Sequence, residues 1–273
     1  MTADDQTMQV NPLLDFAGLP RFADIRPEQV APAIDALLDE ARATIERVAT
    51  ASGPPDWDAF VQPLADALDR LGRAWTQVAH LNAVVNTPQL RAAYNDNLPK
   101  VTAFHTELGQ DERLFARYRE LAASPGFAAA DPARRRVVDN ALRDFRLSGA
   151  ELAAGPKARF KAIEEELASL SSRFADNLLD ATNGYALYVD DASRLAGMPA
   201  DVISAARAAA QADGKAGWKL TLHMSSYLPV LQYADDRTLR RTLHYAYSTR
   251  ASEFGNPEWD NGALVDRILA LRA

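Results

Sequence analysis

A chain of 273 residues, 48% hydrophobic and 25% charged, has the composition of an ordinary folded protein of one large domain or two small ones, which argues against disorder and against a membrane-embedded chain. Its formal charge of -7 comes from interleaved acids and bases such as Asp66, Asp69, Arg70 and Arg73; without a basic stripe to follow a phosphate backbone, no nucleic-acid partner is expected. With no cysteine, disulfides, thiolate metal sites and cysteine nucleophiles are all removed.

Met1 to Asn11 include Asp4 and Asp5 and hold no apolar run, and no later run is long enough to span a bilayer, so no secretory signal, no membrane and a cytoplasmic location are expected. Val30, Ile34, Leu37, Leu38, Ala41, Ile45 and Val48 recur at three- and four-residue steps, predicting a helix that begins near Pro27. After Gly53-Pro54-Pro55, Asp56 is a cap for a second helix with its stripe through Phe60, Leu64, Leu68, Leu71, Trp75, Val78 and Leu81. Pro63 should kink that helix unless it lies in the first turn.

A third helical region covers roughly residues 88–121, interrupted near Pro99 and ending at Ser124-Pro125-Gly126. Asp131-Pro132 opens a further helix that Gly149 stops. Phe160, Ile163, Leu167, Leu170, Phe174 and Leu178 predict a long helix with a buried face, opened after Gly155-Pro156 and closed near Gly184. Tyr185–Val189 and Trp218–Met224 break the helical rhythm and can pair as a small antiparallel ribbon, with an alanine-rich helix over Pro199–Asp213 between them. Asp235-Asp236 starts a helix through Leu239, Leu243, Ala246 and Tyr247. A last apolar face, Leu264, Ile268 and Leu271, follows a cap at Asp260 or Asn261 and is unfinished at Ala273. The fold expected is mainly α, a multi-helix lobe with a minor antiparallel β element, forming one region over residues 1–273.

Zinc hydrolysis calls for about three side-chain ligands and an open position for water, and HExxH supplies two histidines from one helix turn. The sequence lacks that motif; His80, His105, His223 and His244 stand singly on separate predicted elements. No GxSxG elbow accompanies Ser225-Ser226 beside His223, which read as the end of a strand entering a turn, and Gly214-Lys215-Ala216-Gly217 is too short for a phosphate loop. Glu164-Glu165-Glu166 and Asp190-Asp191 pair carboxylates as acid–base chemistry requires, but the glutamates also suit a solvated helix face near its amino terminus. Aromatic and arginine density peaks over His244–Arg250, a helix end that either faces a peptide channel or another domain, or fills the core. No catalytic, cofactor-binding or metal-ligating residue is assigned.

The string Val138-Asp139-Asn140-Ala141-Leu142-Arg143-Asp144-Phe145-Arg146-Leu147-Ser148-Gly149, with Asn11-Pro12-Leu13-Leu14, Arg26-Pro27-Glu28-Gln29-Val30, Leu179-Asp180-Ala181-Thr182, Leu195-Ala196-Gly197-Met198-Pro199, Ser226-Tyr227-Leu228-Pro229-Val230 and Ala246-Tyr247-Ser248-Thr249-Arg250-Ala251-Ser252, resembles in order the oligopeptidase A branch of the thimet-oligopeptidase-like zinc peptidases. The resemblance runs along nearly the whole chain. It implies a mostly helical fold of two lobes around a deep channel that admits short peptides, and endopeptidase activity on oligopeptides. The family's zinc motif, two histidines and a downstream glutamate with a glutamate that activates water, lies in the carboxyl-terminal half, and none of it maps onto this sequence. The chain is therefore expected to be the amino-terminal part of such an enzyme, to partner the missing carboxyl-terminal catalytic lobe and peptide substrates, to bind no zinc itself, and to be inactive alone. The alternative is a standalone helical module that binds peptides or proteins without catalysis.

Overall fold

The computed structural model describes residues 11–273; the reading of Met1 to Val10 as free of a secretory signal falls outside them. The described residues are mainly helical, and the chain divides into two compact units at Ser169/Leu170, a boundary inside the long helix α6, Ala154–Asn183. No helix among them is long and apolar enough to cross a membrane.

The first unit is built on α1 (Val30–Ala49), α2 (Gln62–Val84), α3 (Pro88–Gly109), α4 (Glu112–Ala123) and α5 (Pro132–Leu147). The stripe predicted for α1 is its buried face, and Ile34, Leu37 and Ala41 share one core with Leu71, Ala74 and Val78 of α2. Alanines at Ala41 and Ala74 let the helix axes approach, while each fully buried leucine contributes roughly 1.5–3 kcal/mol. A 3-10 turn, Pro27–Gln29, leads into α1 at the predicted place. Pro63 does not kink α2: Asp56 caps a π-helical turn, Trp57–Val61, with Oδ1 accepting from the Ala59 amide at 2.7 Å, so Pro63 falls in the first turn of the regular helix, where its missing N–H costs nothing.

Pro99, by contrast, stays inside an unbroken α3. The bond that residue 99 would donate is lost, yet buried Leu90 before it and Val101 and Phe104 after it anchor both halves to the same core, and that packing outweighs the interruption the sequence predicts. Asp131 caps α5 through the Ala133 amide at 2.8 Å, and Gly149, at φ 85°, stops it in the left-handed conformation, with the Ala150 amide returning to the Phe145 carbonyl at 2.9 Å.

The second unit contains β1 (Leu187–Val189), α7 (Ala200–Ala212), β2 (Trp218–Leu220), α8 (Met224–Tyr233), α9 (Arg237–Ser248) and α10 (Gly262–Arg272). The predicted ribbon forms, antiparallel, with Tyr188 opposite Lys219, but it is shorter than expected. Gly217 closes it: φ is 82°, and a Cβ there would lie 2.2 Å from the Val189 carbonyl oxygen. The chain leaves β2 after Leu220, and Met224 to Tyr227, expected as strand end and turn, are the first turn of α8. Leu195, Leu220, Leu222, Val230, Leu239 and Leu243 form this unit's own core. The long α6 departs from expectation as well: Phe160, Ile163, Leu167, Leu170, Phe174 and Leu178 are only half-buried.

Candidate functional site

The four histidines are dispersed within their units. His80 is exposed, with its ring 5.3 Å from that of Phe22, and His105 packs edge-on to Phe104 at 5.5 Å. His223 sits at the N-cap of α8 without a capping bond, and His244 faces the Tyr227 hydroxyl with Nδ1 at 3.4 Å. Among the described residues no three His, Asp or Glu side chains converge as a group able to hold a metal ion.

Ser226 has a structural task, its Oγ accepting from the Thr221 amide at 3.0 Å and fixing the exit from β2. Asp191 caps a 3-10 turn, Ala192–Leu195, and bonds from the Ser193 hydroxyl and amide hold its carboxyl below the usual range, so it stays ionised near neutrality. Glu164, Glu165 and Glu166 are exposed or half-exposed on α6, Asp190 is exposed, and the glycines of Gly214–Gly217 carry the turn into β2.

The region that the structure does assemble is His244–Arg250. Asp236 caps α9 by accepting from the amides of Thr238 at 2.8 Å and Leu239 at 3.1 Å, and the Arg194 guanidinium at 2.8 Å keeps its carboxyl below the ordinary range. With Leu239 and Leu243 fixed in the core, the next turn presents Thr242, Tyr245 and Ala246 on one side. Tyr247 stacks on Tyr227 at 4.2 Å and 16°, and the Arg250 guanidinium lies 3.6 Å from the Tyr247 ring centre while donating to the Tyr247 carbonyl. Burial, helped by Tyr247 and opposed by Arg250, raises the Tyr227 pKa above the ordinary phenol value.

Beyond α9 the chain turns sharply. Ala251 takes a left-handed φ of 53°, Ser252 Oγ donates to the Thr249 carbonyl at 2.6 Å, and Asn256 caps the short turn Pro257–Trp259 by accepting from the Glu258 amide at 3.0 Å. That turn delivers Trp259 against the end of α6. Gly184 makes the room, since a Cβ at 184 would stand 2.4 Å from the indole. Asn261 locks the arrangement: it is 3% exposed, donates to the Phe174 carbonyl at 3.1 Å, and accepts from Asn177 Nδ2 at 2.9 Å.

The result is a cleft of about 480 Å³ walled by Tyr185, Leu222, Tyr245, Phe254 and Trp259 around Arg250. Arg250 is the one charged group among the described residues lining it. Tyr245 and Phe254, 57% and 65% exposed, stand at its rim. The sequence reading singled out Tyr245, Tyr247 and Arg250 but not Tyr185, Phe254 or Trp259. The turn signal Gly255-Asn256-Pro257 marks that loop, and nothing local says where its aromatics land.

Comparison with known proteins places the whole chain. The family model for the Neurolysin/Thimet oligopeptidase N-terminal domain matches residues 34–157, within the first unit. Oligopeptidase A from Salmonella typhimurium and from Escherichia coli are each 43% identical over 264 residues, 96% of this chain. A probable cytosolic oligopeptidase A from Arabidopsis thaliana is 35% identical over 277 residues, 99% of this chain. The chain spans 39% of the length of each of these relatives. Residues 34–157 thus belong to the neurolysin/thimet oligopeptidase N-terminal domain family, and the chain throughout its length is homologous to oligopeptidase A.

Proposed function

We propose that this chain is one amino-terminal region, residues 1–273, of a cytoplasmic zinc metalloendopeptidase that hydrolyses short oligopeptides, that it forms part of the wall of a peptide channel, and that it has no activity by itself. The observation that carries this reading is the 43% identity sustained over 96% of the chain to oligopeptidase A proteins of which it spans 39%. The relatives' names supply the peptide substrate. The sequence supports the division of labour, because it has no HExxH and its four histidines stand on separate elements.

The donors present do not fit a zinc site: a catalytic zinc needs about three converging ligands, and no such group of His, Asp or Glu side chains occurs among the described residues. No chemical step is therefore assigned to this chain. Its part in the reaction is confinement, the exclusion of folded proteins and the alignment of an extended peptide against the catalytic lobe, which lowers the entropy lost at the chemical step. The reading is tested by incubating purified 1–273 with an internally quenched oligopeptide and zinc. No chelator-sensitive cleavage is expected, and turnover by this chain would overturn it. A standalone binding module remains a second reading on one observation, the aromatic cleft beside Arg250, and it differs in requiring no catalytic partner at all.

A further inference from the structure

We infer that the cleft of the second unit binds a peptide end, seating an apolar or aromatic side chain among its rings and the terminal carboxylate at Arg250. This rests on the peptide-handling part of the proposed function and not on catalysis.

The size fits. A cleft of about 480 Å³ falls in the range of small-ligand sites, and its wall is largely apolar, with Tyr185, Leu222, Phe254 and Trp259 giving contact area for one large side chain. Charge selects the ligand further. Arg250 alone among the described lining residues is charged, so a purely apolar occupant would leave that guanidinium facing the cleft without an anion. The same α9 that carries Tyr245 also carries Arg237 and Arg241, exposed at four-residue spacing on the approach to the cleft, and both favour an anionic visitor.

Arg250 is prepared for this role. One Nη is committed to the Tyr247 carbonyl and the guanidinium plane rests on the Tyr247 ring, so the head group is already oriented before any ligand arrives. That bond uses one of five N–H donors, and the buried Nε has no acceptor in the structure. A carboxylate is the acceptor that matches the remaining fork. Tyr245 and Phe254, left more than half exposed at the rim, are placed to close over the seated side chain.

The test is fluorescence anisotropy of an amino-terminally labelled pentapeptide ending in phenylalanine with a free carboxylate, titrated with the 273-residue chain. Expected are saturable binding, a loss of about tenfold or more in affinity for the same peptide as its carboxyl amide, and a similar loss with Arg250→Gln. Tyr245→Ala changes an exposed side chain and leaves the core intact, so it keeps the test valid if the arginine variant fails to fold; it should weaken binding of the phenylalanine peptide by about fivefold. Equal affinity for acid and amide, or binding untouched by both variants, overturns the cleft while leaving peptide handling elsewhere on the chain in place. No saturable binding of either peptide overturns both, as does concentration-dependent self-association that fills the cleft with a second copy and blocks the peptide.

Discussion

Asn261 holds two parts of the second unit together with one buried amide, donating to the Phe174 carbonyl and accepting from Asn177, while its own backbone N–H reaches the Ala251 carbonyl at 3.1 Å. Replacing it with alanine leaves a buried carbonyl and a buried amide unpaired, so Asn261→Ala should cost about 1–3 kcal/mol, read as a shift in the urea midpoint at constant slope. From sequence the residue looked like one of two possible helix caps; Asp260 takes that task, accepting from the Gly262 amide at 2.9 Å, which frees Asn261 to turn inward. No local pattern separates an asparagine that caps from one that bridges, because the partner carbonyl lies 87 residues away. Tyr118 gives a second prediction at this scale. It is 7% exposed and burial pushes its pKa up to about 12, so the folded state keeps its proton where the unfolded state has lost it. Its stabilising term is complete below pH 10, the ordinary phenol value, and is lost as pH rises through about 12. Alkaline titration of stability should therefore fall by on the order of 2 kcal/mol more in the native chain than in Tyr118→Phe, and parallel curves would refute the assignment.

Helices with strong punctuation were legible before any coordinates. Asp131-Pro132 and Gly149 bound α5 within the sequence itself, and the leucine and valine spacing of α1 is its buried face. Elements were misread where two local signals conflict with packing. Met224–Tyr233 carries β-prone neighbours and Pro229, yet Tyr227 and Val230 dock onto the second core and the segment is helical. Pro99 predicts a break that Val101 and Phe104 override. The apolar stripe of α6 predicts deep burial, and its helical period is right while the depth is not, since periodicity fixes which residues share a face and says nothing of what covers it. The element on which the cleft depends is α9, anchored by Leu239 and Leu243 at zero exposure. Leu243→Ala should destabilise by about 2–5 kcal/mol through lost transfer energy and the cavity left behind. Denaturant unfolding of the variant checks this, and a change within error would mean that α9 is not held by that contact.

At the scale of the molecule, similarity to oligopeptidase A spans 96% of the chain, while the family model of the N-terminal domain stops at residue 157, so the second unit with its cleft is covered by the longer relatives alone. Family membership was readable from ordered strings such as Val138–Gly149, whereas the cleft was not, because it is made where a helix end, a strand exit and a loop meet. The account turns on the division between a peptide-handling region and chemistry encoded elsewhere. Elemental analysis of the purified 273-residue chain after dialysis against a low concentration of zinc measures that division directly: the account predicts no stoichiometric metal retained, and one zinc held tightly per chain would contradict it.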